Sequence, residues 1–193
     1  NKDVKGLKKI VLVGNPNVGK SVVFNKLTKS YVTVSNYPGT TVTIDTGKGV
    51  IGGKEYAIID TPGMCSLIPI TEEEKVARDL LLKQKPEVIL HIIDAKNLDR
   101  MLHLTIELME SGLPVILVLN MMDEAEEHGL KIDVNQLELL LKIPVVETVS
   151  TTGKGIIELK KGISGFRKRD VTKPKYNAII ENAVKIIINN LKE

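Results

Sequence analysis

The sequence predicts a three-layer α/β fold with a six-stranded, mostly parallel sheet and one antiparallel hairpin strand. Apolar runs of strand length alternate with amphipathic helical patterns along most of the chain, which is typical of a parallel sheet covered by helices. Polar loops follow the carboxyl ends of successive apolar runs. The dipeptide Gly52-Gly53 separates two strand-like segments and indicates the hairpin.

Length and composition limit the chain to one substantial domain. The 193 residues carry 27 basic and 24 acidic side chains, so the formal charge is only +3. This balance, together with 3% aromatic residues, predicts no nucleic-acid partner. The single Cys65 excludes an internal disulfide, and no apolar run approaches the roughly 20 residues that span a bilayer. We therefore expect a soluble, cytoplasmic domain over residues 1–168, followed by a basic linker in residues 169–193.

The first predicted strand, residues 8–13, leads into a glycine-rich loop that fits the pattern G-x-x-x-x-G-K-[ST]. Glycines let successive backbone N–H groups converge on phosphates, and the following helix, residues 20–29, adds its positive dipole end. Lys20 is expected to reach the β- and γ-phosphates and Ser21 to coordinate Mg²⁺. The alternative is a glycine turn that binds no ligand. The predicted nucleotide-binding residues here are Gly14, Asn15, Pro16, Asn17, Val18, Gly19, Lys20, Ser21 and Val22.

Residues 30–43 are rich in Thr, Ser, Asn, Pro and Gly and are predicted to form a mobile loop. Thr41 is interpreted as a switch threonine, which reaches Mg²⁺ and the γ-phosphate only when a triphosphate is bound. A threonine-rich entry into the next strand, predicted for residues 42–51, is the alternative. The nucleotide-binding residues expected at the end of this loop are Gly39, Thr40, Thr41, Val42 and Thr43.

The second hairpin strand, residues 54–60, ends in the sequence Asp60, Thr61, Pro62 and Gly63. Asp60 is placed to hold Mg²⁺ through a water, and the N–H of Gly63 is placed to bind the γ-phosphate, so that hydrolysis releases the loop. An ordinary Asp-x-Pro-Gly turn is the alternative. Its position at the end of an apolar strand, about 40 residues after the phosphate loop, favours the functional interpretation.

The elements that follow continue the alternation of helices and strands. Thr71 and Glu74 form a capping pattern at the start of a helix over residues 72–83. His91 lies in the apolar strand of residues 87–94 and is interpreted as a core histidine. Further helices are predicted for residues 98–111, 133–141, 155–168 and 178–191, and further strands for residues 114–119 and 143–149.

The strand of residues 114–119 runs directly into Asn120, Met121, Met122 and Asp123. The carboxylate of Asp123 can accept two hydrogen bonds from N1–H and the 2-amino group of guanine, a donor pair that adenine lacks. Asn120 is expected to tie this base-reading loop, which includes Met121, to the phosphate loop. An ordinary helix cap by Asp123 is the alternative. Backbone N–H groups expected to meet guanine O6 belong to Ser150, Thr151 and Thr152.

No general base is evident in the sequence. Met64 stands where many GTPases place a water-orienting glutamine, and a thioether cannot polarise water. We therefore expect backbone groups of residues 40–43 to position the water. The groups assigned to catalysis are Lys20, Thr41 and the N–H of Gly63.

Taken in order, these motifs specify the P-loop NTPase (Ras-like) fold and resemble those of the GTPases related to translation factors. More narrowly, the chain resembles the cytoplasmic G domain of the ferrous iron transport protein B family over roughly residues 8–165. Met121, in place of the usual lysine, and the stretch D-A-K-N-L-D-R at residues 94–100 carry the narrower resemblance. Thr43 and Thr61 depart from this family, which commonly has Glu and Leu there.

The resemblance implies a domain that binds GTP and GDP, hydrolyses GTP slowly, and gates or drives Fe²⁺ uptake. Mg²⁺ would be held by Ser21, Thr41 and Asp60, and K⁺ beside the side chain of Asn17 would stimulate hydrolysis. A helical domain beginning in residues 169–193 and a membrane transport region beyond it are implied as partners. They would place this domain at the cytoplasmic face of the membrane, and a homo-oligomer is left open.

Two other functions are compatible with a guanine-nucleotide site. A GTPase acting on the ribosome or tRNA would bring an RNA-binding module and a strongly basic face, neither of which the sequence contains. A nucleotide-dependent interaction module would bind the nucleotide with negligible turnover. A hydrolysis assay with and without K⁺ separates that module from a GTPase.

Overall fold

Strands and helices alternate along most of the chain, as its apolar patterns predict. The structure, a computed structural model, describes residues 4, 6–28, 30–167, 174, 176–178 and 180–182. The strands within these residues are β1 (Lys8–Val13), β2 (Ser30–Asn36), β3 (Thr43–Ile51), β4 (Lys54–Asp60), β5 (Val88–Asp94), β6 (Val115–Asn120) and β7 (Val145–Glu147). The helices bounded there are α1 (Lys20–Leu27), α2 (Glu72–Lys83), α3 (Leu98–Glu110), α4 (Met122–Glu127), α5 (Val134–Leu141) and α6 (Ile156–Gly165), with a 3₁₀ turn at Ala95–Asn97 before α3.

The described strands form one sheet in the order β2-β3-β4-β1-β5-β6-β7. Strands β1, β4, β5, β6 and β7 are parallel, β3 is antiparallel to β4, and β2 is antiparallel to β3. The carboxyl ends of parallel strands share one edge of a sheet. Because β1, β4 and β6 end at Val13, Asp60 and Asn120, the three predicted ligand loops begin at this edge.

The core lies on both faces of the sheet, so the fold has the three predicted layers. Ile10 and Leu12 of β1 pack on the face covered by α1 and α6. Val11 and Val13 point to the opposite face, which α2 and α3 cover. Successive side chains of a strand point to opposite faces of the sheet. Because both faces are buried here, consecutive residues 10–13 of β1 are all apolar.

The sheet has seven strands in the described chain rather than the predicted six, because β2 forms where a mobile loop was expected. The prediction for residues 30–43 is therefore wrong in its first half. β2 pairs through its backbone with β3 at the edge of the sheet. An edge strand can remain largely solvated, and residues 34–36 are all exposed, Val34 to 62%, so this end of β2 lacks the buried alternation by which strands are recognised.

Several predicted boundaries also differ from the structure. α1 ends at Leu27 and α6 at Gly165, each earlier than predicted, and the short α4 was not predicted at all. The predicted linker and helix at the end of the chain lie largely outside the described residues. Residues 178 and 180–182 are helical there. No helix of the described residues is long and apolar enough to cross a bilayer.

The start of α2 confirms the predicted capping pattern. Oγ1 of Thr71 accepts from the backbone N of Glu74 at 3.2 Å, and the side chain of Glu74 accepts from the backbone N of Thr71 at 3.3 Å. This reciprocal pair satisfies two N–H groups that the helix itself cannot bond. It fixes the point at which the loop after β4 becomes helical.

His91 lies in the middle of β5 and is fully buried, as predicted for a core histidine. Its Nδ1 is 2.9 Å from the hydroxyl oxygen of Thr105 on α3, whereas Nε2 has no hydrogen-bond partner. Burial lowers the pKa of His91 from 6.5 to about 3. The imidazole is therefore neutral in the folded chain near pH 7.

Mild acid is expected to destabilise the fold through His91. Below pH 6.5 the unfolded chain takes up a proton that the folded chain excludes until about pH 3, so stability present above pH 6.5 is lost as the pH falls. Between pH 6.5 and pH 5 the expected loss is about 2 kcal/mol. Urea unfolding at the two pH values measures it, with His91→Gln as a control that cannot titrate. An equal loss in both chains would contradict the prediction.

Candidate nucleotide site

The loop between β1 and α1 adopts a conformation that requires glycine at two positions. Gly14 has φ +148° and Gly19 has φ +88°. A Cβ on Gly14 would lie 2.1 Å from the carbonyl oxygen of Ile92, and one on Gly19 would lie 2.4 Å from Nδ2 of Asn120. The loop therefore packs tightly against β5 and β6, which fixes the direction of its backbone N–H groups.

The side chain of Lys20 lies inside this loop. The residue is only 8% exposed, and its Nζ donates a hydrogen bond to the carbonyl oxygen of Asn15 at 2.7 Å. Burial lowers the pKa of the ammonium, while the charge of Asp60 opposes that shift. A buried ammonium whose acceptor is a neutral carbonyl favours an anionic ligand, and a phosphate group supplies one.

Ser21 and Asp60 meet near Lys20 in an arrangement that suits a divalent cation. Oγ of Ser21 donates to Oδ2 of Asp60 at 2.8 Å. The other carboxylate oxygen, Oδ1, is buried without a hydrogen-bond partner, and burial raises the pKa of Asp60. Mg²⁺ prefers oxygen ligands of this kind and would also satisfy the unpaired oxygen. The residues present therefore fit a Mg²⁺ ion.

Thr41 is exposed in the loop between β2 and β3. The hydrogen bonds that shape this loop are internal: Oγ1 of Thr40 donates to the carbonyl oxygen of Tyr37 at 3.0 Å, and the N of Tyr37 donates to the carbonyl oxygen of Val42 at 2.8 Å. Among the described residues, no hydrogen bond joins Thr41 to Ser21 or Asp60. The contact of Thr41 with Mg²⁺ stays a prediction for the triphosphate-bound state.

The loop after β4 lies directly on the phosphate loop. Oγ1 of Thr61 donates to the carbonyl oxygen of Leu12 at 2.7 Å, which joins the ends of β4 and β1. Gly63 is so close to Pro16 that a Cβ there would lie 2.7 Å from Cγ of the proline. The structure thus brings the predicted D-T-P-G sequence next to the predicted phosphate loop.

The side chain of Met64 packs in the hydrophobic core and offers no polar group to the site. Its backbone N donates to the carbonyl oxygen of Gly14 at 3.1 Å, and its side chain is fully buried in the core. The next residue, Cys65, is exposed, and its Sγ lies 3.4 Å from Nδ2 of Asn15. The loop is therefore held against the phosphate loop at successive residues.

Asn120 joins the loops at the end of the site that is predicted to bind the base, as expected. Its Nδ2 donates to the carbonyl oxygen of Val18 at 2.9 Å and to Oγ of Ser150 at 3.0 Å. Its Oδ1 accepts from the N of Ser150 and from Oγ1 of Thr148, both at 3.0 Å. The side chain is 1% exposed, so these four bonds fix the mutual positions of three loops.

Asp123 stands exposed in the first turn of α4, with its side chain free for a ligand to approach. Met121 precedes the helix in the left-handed conformation, with φ +61°, and so turns the chain sharply after β6. On the facing loop, Thr151 and Thr152 are exposed, and Oγ1 of Thr152 donates to the carbonyl oxygen of Val149 at 3.1 Å. The bond between Asn120 and Ser150 keeps the two loops adjacent.

Two residues that support the base-reading loop received no role from the sequence. Thr148 donates to Asn120, although a lone threonine near the end of a strand gives no signal of such a bond. Lys96 pairs with Glu124 of α4, and its backbone N donates to Oδ1 of Asp94 at 3.0 Å. The sequence feature that could have indicated this role is the position of Lys96 in the stretch D-A-K-N-L-D-R of residues 94–100.

A known protein family matches the part of the chain that contains this site. The family described as ferrous iron transport protein B matches residues 8–163, which is most of the chain. The chain belongs to this family. The match confirms the predicted resemblance, and the sheet and helices confirm the predicted P-loop NTPase fold apart from the additional edge strand.

Curated relatives in the ferrous iron transport protein B family are much longer than this chain. A fusion of Fe(2+) transport protein A with the Fe(2+) transporter FeoB from Porphyromonas gingivalis is 39% identical over 191 residues, which is 94% of this chain and 23% of the relative. The Fe(2+) transporter FeoB of Salmonella typhimurium is 39% identical over 165 residues, or 83% of this chain and 21% of the relative. The chain thus spans less than a quarter of either transporter.

Solved structures of the family superpose on most of the chain. The cytosolic domain of T. maritima FeoB in its GMPPNP form has a TM-score of 0.87 at 37% identity, covering 97% of this chain and 75% of that one. A mutant S. thermophilus domain bound to GDP has a TM-score of 0.85 at 38% identity, covering 95% of this chain and 72% of that one. The described fold is therefore that of a G domain of the family.

Proposed function

We propose that this chain is the GTP-binding and GTP-hydrolysing domain of a ferrous iron transporter and switches between GTP and GDP states to gate or drive Fe²⁺ uptake. The observation that carries the proposal is the meeting of Lys20, Ser21 and Asp60 at the sheet edge where the base-reading loop also begins. Family membership supports it, because solved relatives are described as bound to GDP or in a GMPPNP form. A GTPase acting on the ribosome or tRNA gains no support from these observations.

Each group around the phosphates has a separate task. Backbone N–H groups of residues 14, 15 and 17–21 bind the phosphates, and Lys20 stabilises the negative charge that develops between the β- and γ-phosphates. Ser21, Thr41 and Asp60 would hold a Mg²⁺ ion, and its charge would neutralise part of the charge on the phosphate oxygens. The N–H of Gly63 binds the γ-phosphate. When hydrolysis removes that phosphate, the loop that contains Gly63 is released. Residues that complete this end of the site are Val22, Gly39, Thr40, Val42, Thr43, Thr61 and Pro62.

The base is selected at the other end of the site. Asp123 accepts from N1–H and the 2-amino group of guanine, and an adenine base would leave that carboxylate without its two donors. Asn120 holds the base-reading loop in place through its bonds to Val18 and Ser150. The backbone of Met121 and the N–H groups of Ser150, Thr151 and Thr152 complete the base pocket.

Water activation in this site relies on position and charge. The side chain of Met64 is a buried thioether and cannot polarise the attacking water. Backbone groups of residues 40–43 therefore orient this water when the loop between β2 and β3 closes over the γ-phosphate. We assign a K⁺ ion to the side chain of Asn17, where it supplies the positive charge that an arginine finger brings elsewhere. Asn17 is exposed on the phosphate loop with φ +63°, so its side chain is open to such an ion.

Replacing Asn17 with alanine is expected to abolish the stimulation of hydrolysis by K⁺. The amide oxygen that helps to hold the ion is lost, so the rate in K⁺ should fall by about tenfold or more to that in Na⁺. Single-turnover hydrolysis of GTP in K⁺ and in Na⁺ measures this, with Asn25→Ala on the exposed side of α1 as the control. Stimulation that survives in Asn17→Ala would contradict the assignment. A chain without turnover in either salt would favour the interaction module.

We further propose how this domain is connected. Residues 1–168 form the G domain, and residues 169–193 form a basic linker and the start of a helical domain, followed by the membrane transport region. The lengths of the relatives support this arrangement, since the chain covers 75% of a cytosolic domain but only 21% of a whole transporter. The G domain would then work at the cytoplasmic face of the membrane, with association into a homo-oligomer to be tested by its mass in solution.

A further inference from the structure

Glu107 on α3 binds the loop that follows the D-T-P-G sequence. Its Oε1 accepts from Oγ of Ser66 at 3.0 Å, and its Oε2 accepts from the backbone N of Leu67 at 2.6 Å. The side chain of Glu107 is 17% exposed, so both bonds are largely shielded from water. About 40 residues of sequence separate these partners, and no motif assigns Glu107 to the nucleotide site.

The geometry of Ser66 directs its hydroxyl hydrogen toward Glu107. Oγ of Ser66 accepts from the backbone N of Ile68 at 3.0 Å, which leaves its own hydrogen to be donated to the carboxylate. Two donors therefore converge on the two oxygens of one carboxylate. Hydrogen bonds to an ionised acceptor are about twice as strong as neutral ones, so this contact is a firm attachment.

The attachment lies just beyond the part of the loop that faces the phosphates. Upstream, Thr61 is bonded to Leu12, and Met64 is bonded to Gly14 with its side chain buried in the core. Downstream, the backbone of Cys65 is bonded to the carboxylate of Glu74 on α2, and the next residues, Ser66 and Leu67, are bonded to Glu107 on α3. Gly63 follows Thr61 and directly precedes Met64, so the position of its N–H depends on the attachment of Thr61 before it and on those of residues 64–67 after it.

We propose that Glu107 is a positioning residue for GTP hydrolysis. It holds Ser66 and Leu67 so that the N–H of Gly63 stays at the place where the γ-phosphate is bound. This inference rests on the proposed GTPase function. GDP has no γ-phosphate, and Glu107 touches none of the groups assigned to GDP binding, so its loss should affect hydrolysis and leave GDP affinity intact.

Variants at both ends of the contact test the proposal. At saturating GTP with Mg²⁺ and K⁺, Glu107→Ala is expected to lower the single-turnover rate about tenfold, and GDP affinity should stay within about twofold. The rate of Glu107→Gln should lie between those of Glu107→Ala and the unchanged chain, because the amide oxygen of glutamine can still accept from the N of Leu67. Ser66→Ala should lower the rate several-fold alone and much less in a chain that already carries Glu107→Ala.

The control is Glu110→Gln, which lies one turn later on α3 and whose carboxylate contacts Tyr176 instead of the loop. Its hydrolysis rate should equal that of the unchanged chain. An unchanged rate in Glu107→Ala, or equal losses of hydrolysis and GDP affinity, would overturn the inference alone. No turnover even in the unchanged chain would overturn the proposed GTPase function as well. If Glu107→Ala does not fold, Glu107→Gln and Ser66→Ala decide by the same criteria.

Discussion

Replacing Asp123 with asparagine is expected to move the preference of the site from guanine to xanthine nucleotides. The carboxylate accepts from two guanine donors, whereas an asparagine amide can donate to the 2-oxo group that xanthine carries in place of the amine. GDP affinity should fall by about 100-fold or more, because the donor of guanine then faces a donor of the protein. Competition between GDP and XDP for the purified chain measures the change.

The matched control is Glu126→Gln, an exposed carboxylate on the same short helix. It removes the same charge from α4 without altering the group that faces the base, so GDP affinity should stay within about twofold. Equal GDP affinity in Asp123→Asn and in the unchanged chain would contradict the assignment of Asp123 as the base-reading residue. A loss of affinity in both variants would point to the net charge of α4 instead.

Replacing Lys20 with methionine is expected to remove most of the affinity for GTP and GDP. The ammonium is buried in the phosphate loop, and methionine keeps the apolar stem packed there while it deletes the charge. The loss should be about 100-fold, equivalent to about 2.8 kcal/mol, because a charged partner of the phosphates is absent in a shielded site. Calorimetric titration with GDP measures it.

Lys26→Met is the control for this change, since Lys26 is exposed in the last turn of the same helix. Its GDP affinity should equal that of the unchanged chain. Thermal unfolding of both variants establishes that they are folded. Tight GDP binding by Lys20→Met would contradict the assigned role of the lysine, and the phosphates would then be held by the backbone alone.

The site was predictable to the extent that its parts follow the ends of parallel strands. Gly14, Asp60 and Asn120 are distant in sequence, but Gly14 directly follows a parallel strand and the other two end one, and such strands end at one edge of the sheet. The capping residues Thr71 and Glu74 were predictable for a similar reason, because they interact within a single turn of helix.

The features that sequence reasoning missed depend on tertiary contacts. Residues 34–36 of β2 are exposed, and the strand is held by backbone bonds to β3, so this part of it carries no pattern of buried side chains. The short α4 follows a left-handed residue, Met121, which hydrophobic periodicity does not reveal. The bonds from Glu107 to the loop after β4 depend on where α3 packs, and local sequence contains no information on that distance.

Calorimetry of the unchanged chain with GDP, and separately with ADP, in the presence of Mg²⁺ tests the account most directly. The lysine inside the phosphate loop and the carboxylate of Asp123 together predict that GDP binds at least about 100-fold more tightly than ADP. Equal affinity for the two nucleotides, or no binding of either, would contradict it.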